Sequence, residues 1–151
     1  MMKRKYLVIL VVVSMILPVA RNALSHCQLP CGIYDDQMRI QMIAEYITTI
    51  EKSMKEIITL TKEQPANYNQ IVRWVVNKDE HANKLQEVVA QYFMTQRIKL
   101  DAKDYTQKVT VLHKMLVYAM KCKQTTDVGN VEVLRSLLKD FEALYFGKSG
   151  K

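Results

Sequence analysis

Six residues near the start of the chain, His26-Cys27-Gln28-Leu29-Pro30-Cys31, bring an imidazole and two thiols into one short stretch. If His26 is the first residue of a processed chain, its α-amine joins them. Such an amine titrates near ~7.7–8.0, so a free lone pair is available at neutral pH. The backbone nitrogen of Cys27 lies one residue on, and a metal held by both nitrogens closes a small chelate ring. The thiolates of Cys27 and Cys31 then complete a square plane, a geometry that suits Ni(II) or Cu(II) rather than zinc. The His26 imidazole can take an axial place. Pro30 fixes a bend that lets the two sulfurs converge, and Gly32 frees the backbone just after it. Thiolate donors stabilise a higher oxidation state, which suits one-electron chemistry. The competing reading is a disulfide between Cys27 and Cys31, leaving Cys122 unpaired, although so short a loop adds little rigidity.

What precedes His26 decides whether that amine exists. Residues 1–25 have a basic start at Lys3, Arg4 and Lys5, an apolar run from residue 7 to about residue 20, and a short end at Ala23-Leu24-Ser25. This is the pattern of a cleaved secretory signal peptide, with small residues three before and one before a cut at Ser25/His26. The apolar run is shorter than the ~20 residues of a membrane-spanning helix, and Pro18 interrupts it, so no stable membrane anchor is expected. An exported chain, periplasmic or extracellular, follows. The leader points to His26 without reference to its chemistry.

The formal charge of +7 invites a nucleic-acid reading, but four of the 22 basic residues belong to the leader, which has no acid. The remaining 18 face 15 acidic residues, a formal +3 and an ordinary surface charge. No basic stripe with interleaved aromatics is present, and no nucleic-acid partner is expected. A chain of 151 residues with 49% hydrophobic residues and only four Gly suits one helix-rich domain.

From Asp36 onward the spacing is helical. Ile40, Ile43, Ile47, Ile50, Met54 and Ile57 line one face of a first helix over about 36–62, with Pro65 at the turn. A second helix over about 66–98 places Ile71, Val75, Ala82, Leu85, Val89 and Tyr92 together, with a polar break from Asn77 to His81. Such a break is usually solvated, though it can also face a site. The third, about 102–121, uses Val109, Leu112, Leu116 and Ala119. The fourth, about 131–146, uses Leu134, Leu137, Leu138, Phe141 and Leu144, after a connection containing Gly129. Four amphipathic stripes with short connections predict an all-α fold, a four-helix bundle preceded by an irregular N-terminal metal-binding hook. The expected organisation is a leader at 1–25, the hook at 26–35 and the bundle at 36–151. His113 reads as a structural or surface histidine. Cys122 reads as a free thiol near a helix end, with Lys121 and Lys123 as neighbours able to make it reactive.

The bundle offers no Gly-rich phosphate loop, no placeable Ser/His/Asp arrangement and no H-E-x-x-H helix. The stretch His26-Cys27-Gln28-Leu29-Pro30-Cys31-Gly32-Ile33-Tyr34 resembles the metal hook of nickel superoxide dismutases, H-C-x-x-P-C-G-x-Y. Gln91-Tyr92-Phe93 and the helical pattern extend the likeness over nearly the whole processed chain. The resemblance implies a homohexamer of four-helix bundles that converts superoxide to dioxygen and hydrogen peroxide while one nickel ion per chain alternates between Ni(II) and Ni(III). It implies nickel ligation by the His26 amine and imidazole, the Cys27 amide and thiolate, and the Cys31 thiolate. Tyr34 is then the hook tyrosine that controls small-anion access beside the metal's open face, and Tyr92 a second tyrosine near the site. The chain departs from better-known members where Gln28 replaces a common aspartate. Across a region one residue shorter here, Gln41 falls where a carboxylate supports the axial histidine and His81 where an arginine does. Two other functions share this fold: an exported nickel or copper binding module without turnover, and a structural bundle with a terminal disulfide.

Overall fold

The computed structural model describes residues 32–147, so the expected leader and the hook residues His26, Cys27 and Cys31 lie outside the described residues. Four helices follow, with no strand among the described residues: α1 (Asp36–Leu60), α2 (Tyr68–Glu87), α3 (Tyr105–Gln124) and α4 (Gly129–Phe146). Between α2 and α3, Val88–Arg97 continues α2 as a π-helix. Helices adjacent in sequence pack together and α4 returns to α1, which closes the four-helix bundle. No described helix is long and apolar enough to cross a membrane.

α1 starts where Asp35, in extended conformation, accepts the Met38 N–H at 2.9 Å and satisfies one of the donors a helix start leaves open. All six predicted seam residues, Ile40 to Ile57, are buried. Isoleucine costs up to ~0.7 kcal/mol as a helix residue, but burying its side chain gains ~1.5–3 kcal/mol, so packing decides. Asn67 caps α2 in the same way as Asp35 caps α1, through the Gln70 N–H at 3.2 Å. At the start of α4, Asp127 Oδ1 accepts the Gly129 N–H at 2.9 Å, and a side chain at position 129 would come within 3.1 Å of that same oxygen.

The seam of α2 differs from the expectation. Val75 is 37% exposed and Ile71 only half-buried, whereas Lys78 is 3% exposed. The helix runs unbroken through the polar stretch at 77–81, in which Lys78 is buried while Asp79 and Glu80 reach solvent. Lys78 Nζ donates to the carbonyls of Cys122 at 2.7 Å and Lys123 at 2.6 Å and pairs with Asp79 at 2.9 Å. These carbonyls belong to the last turn of α3, where the helix dipole is negative and carbonyls lack helical partners. Asn77 Nδ2 donates to the buried Ser53 hydroxyl of α1 at 2.9 Å. A polar stretch thus ties α2 to both neighbours. On α3 the buried residues are Leu112, Met115, Ala119 and Cys122, with Val109 and Leu116 half-buried, so one methionine is core. On α4, Leu134, Leu137, Leu138 and Phe141 are buried as expected and Leu144 is half-buried.

Candidate functional site

Tyr34, the last residue of the hook motif, sits just before α1 and is 38% exposed, with its neighbour Ile33 at 82%. Its ring is not left in solvent. It meets the Tyr92 ring edge-on, centroids 5.8 Å apart, and the Arg97 guanidinium carbon lies 4.3 Å from its centroid. Both partners come from the π-helix, and the geometry of that helix explains their pairing. Hydrogen bonds from residue i+5 to residue i stack positions five apart, whereas in an α-helix five residues turn through 500° and end about 140° apart. Ile98 N–H donates to the Phe93 carbonyl at 2.9 Å in this pattern. Tyr92 and Arg97, five apart, therefore share a side.

That side faces Asp36, in the first turn of α1. The carboxylate accepts Tyr92 Oη at 2.6 Å and Arg97 Nε at 2.8 Å on Oδ1, and Arg97 Nη2 at 2.7 Å and Tyr145 Oη at 2.9 Å on Oδ2. Two parallel bonds from one guanidinium fix its orientation as well as its place. Burial works against the charge of Asp36, but the bonds from Arg97, Tyr92 and Tyr145 outweigh it and hold the carboxyl below its ordinary range. Burial, then the Asp36 charge and hydrogen bond, push the Tyr145 hydroxyl up to about 12, and the same causes raise Tyr92 further. Both hydroxyls therefore stay protonated donors at neutral pH. The Asp36 bond raises Arg97 as well.

A second guanidinium, Arg39 on α1, lies 5.1 Å from the Tyr92 centroid. Its Nη1 reaches the Met42 sulfur at 3.5 Å, and its Nε is buried without a hydrogen-bond partner. Below Tyr92 the aromatic contacts continue into the core through Phe93, Phe141 and Tyr145, with centroids 4.9–5.5 Å apart. Tyr34 is thus the outer end of an aromatic stack anchored in fully buried Phe93 and Phe141.

Of the residues singled out from sequence, the structure brings Tyr34 and Tyr92 together. His81 is elsewhere: its ring meets Tyr46 edge-on at 5.8 Å and its Nδ1 lies 2.8 Å from the Asn77 carbonyl. Eleven residues of helix, roughly 16 Å at ~1.5 Å per residue, separate it from Tyr92. Gln41 is exposed, and two residues along α1 it points about 200° away from Arg39. Cys122 is a free thiol, as read from the sequence, and it is fully buried, where burial pushes it up to about 11, away from a reactive thiolate. His113 is exposed. Among the described residues no group of three or more His, Cys, Asp or Glu could hold a metal ion. Sequence reasoning missed Asp36, Arg39, Arg97 and Tyr145. Five-residue spacing between Tyr92 and Arg97 is no signal unless the π-helix is known.

The donors that sequence assigns to a metal, two thiolates, an imidazole and backbone nitrogens, fit nickel by type and softness. The family model of nickel-containing superoxide dismutase matches residues 21–149, which takes in the hook motif and all four helices. No curated protein and no solved structure matches the chain. A match over nearly the whole length, on a chain that folds as the expected helical bundle, shows that it belongs to the nickel-containing superoxide dismutases, oxidoreductases with a nickel cofactor and superoxide as substrate.

Proposed function

We propose that the chain performs this reaction at a processed N-terminus, exported and cut at Ser25/His26, with one nickel ion per chain held by His26, Cys27 and Cys31. The His26 amine and imidazole, the Cys27 amide and thiolate and the Cys31 thiolate form the ligand set. Nickel in that set supplies one-electron alternation between Ni(II) and Ni(III). The chain's own residues do the rest. Tyr34, three residues after Cys31, limits access to small anions. Arg39 and Arg97 put two guanidiniums beside the tyrosine pair, and only Arg97 is held by Asp36, which favours the approach of an anion such as superoxide. In the assembled protein these chains form a homohexamer.

The observation that supports this reading most is the seating of Tyr34, which packs on Tyr92 and Arg97 although it lies in an irregular segment. A chain with one extra residue ahead of His26 tests the ligand set, because it keeps every side chain and loses only the terminal amine. It is expected to lose superoxide turnover, with nickel content measured on the same preparation. Normal dismutation by the extended chain would show that the amine is not a ligand. Stoichiometric metal without turnover in the properly cut chain would instead identify a metal-binding module.

A further inference from the structure

We propose that Arg97, oriented by Asp36, is the positioning residue for Tyr34, and that Tyr92 and Tyr145 serve this clamp rather than the substrate. This rests on the reading of Tyr34 as the access tyrosine. Tyr34 precedes the first turn of α1, and among the described residues its hydroxyl makes no hydrogen bond. Among the described residues it is held by ring contacts, the Tyr92 edge at 5.8 Å and the Arg97 guanidinium at 4.3 Å. A guanidinium on a flexible stem makes a firm platform only when its own orientation is fixed. Asp36 does this by taking Nε and Nη2 at 2.8 and 2.7 Å, leaving the flat face of the group to the ring.

The two other hydroxyls close to Asp36 are committed. Tyr92 and Tyr145 both donate to the carboxylate, at 2.6 and 2.9 Å, from the π-helix and from the end of α4. Two segments distant in sequence thus converge on one residue at the start of α1, two residues after Tyr34. Of Tyr34, Tyr92 and Tyr145, only Tyr34 keeps its hydroxyl unspent on this carboxylate. Arg97 could otherwise be a plain structural ion pair or a direct anion site, and each alternative gives a different pattern on mutation.

The test is a double-mutant cycle on the nickel-loaded protein, with Arg97→Gln, Arg97→Lys, Tyr34→Ala and the doubles, read as the second-order rate constant for superoxide and as inhibition by azide. Arg97→Gln is expected to lower the rate constant at least about threefold in the Tyr34 background and to change it little once Tyr34 is alanine, a coupling within the usual range for contacting residues. Arg97→Lys keeps the charge but cannot hold two carboxylate oxygens and stack flat, so it is expected to behave like Arg97→Gln. Equal losses with and without Tyr34 would overturn the proposal, as would full rescue by lysine, which marks a direct anion site. The second readout needs no turnover: in tyrosine-labelled protein, the ring resonances of Tyr34, identified by Tyr34→Ala, are expected to move to solvent-exposed positions in Arg97→Gln while those of Tyr46 and Tyr118 stay. Unmoved Tyr34 resonances overturn the clamp, and an inactive parent chain with moved resonances leaves the clamp standing while removing the access reading.

Discussion

Replacing Asp36 by asparagine changes no volume and removes one charge, which makes it the sharpest probe of the cluster at the start of α1. The amide keeps one acceptor oxygen and presents its NH2 to groups that now donate to Oδ2, Arg97 at 2.7 Å and Tyr145 at 2.9 Å. Hydrogen bonds to a charged group contribute ~1.5–3 kcal/mol each. Both side chains are partly wet, at 17% exposed for Asp36 and 28% for Arg97, so water recovers part of the loss. The first-turn charge adds ~0.3–1 kcal/mol through the helix dipole. The expected penalty at neutral pH is therefore about 2–4 kcal/mol, or a fall in Tm on the order of 10 °C for a domain of this size. Its pH dependence carries a sign. The folded protein lowers the Asp36 pKa, so this carboxylate's contribution is present above the unfolded value of ~3.9 and is lost as pH falls through the folded one. Urea unfolding followed by circular dichroism at pH 7, 5 and 3, at fixed protomer concentration, should show the parent and the variant converging as the acid limit is approached. A penalty under about 0.5 kcal/mol at pH 7, or one of the same size at every pH, would refute the assignment of Asp36 as the charged centre of this network.

Lys78→Met keeps the buried stem and removes the donor, leaving the Cys122 and Lys123 carbonyls without it, so urea unfolding should show a loss of about 2–3 kcal/mol, and a loss below about 0.5 kcal/mol would mean that water replaces the amine. For Cys122, burial and a thiol pushed up to about 11 predict alkylation at pH 7.5 at least about a hundredfold slower in the native protein than in urea, followed by mass mapping of that residue alone. Rapid native labelling would contradict the buried position.

The six seam residues of α1 and four of the five named on α4 were legible because amphipathic periodicity repeats with the helix and the core rewards it. Periodicity misjudged α2, where Val75 carries the right spacing yet faces outward, and where Lys78 has the wrong chemistry for a core position but finds the open carbonyls of α3. A lysine can be buried only if partners wait for it, and those partners are 44 and 45 residues away. The π-helix was illegible for a related reason. Its hydrogen-bond register is a choice of the packed state and leaves no repeat in the residues themselves.

By itself, the sequence determined the helical class, the seams of α1 and α4 and the hook motif that resembles a nickel site, because each is a local pattern of residue type and spacing. It also carried the expectation that removing a leader exposes His26. Only the tertiary structure decided what surrounds Tyr34. Asp36 meets Tyr92, Arg97 and Tyr145 across separations of 56, 61 and 109 residues. Contacts at such distances follow from how four helices close on one another, and no short-range pattern encodes them.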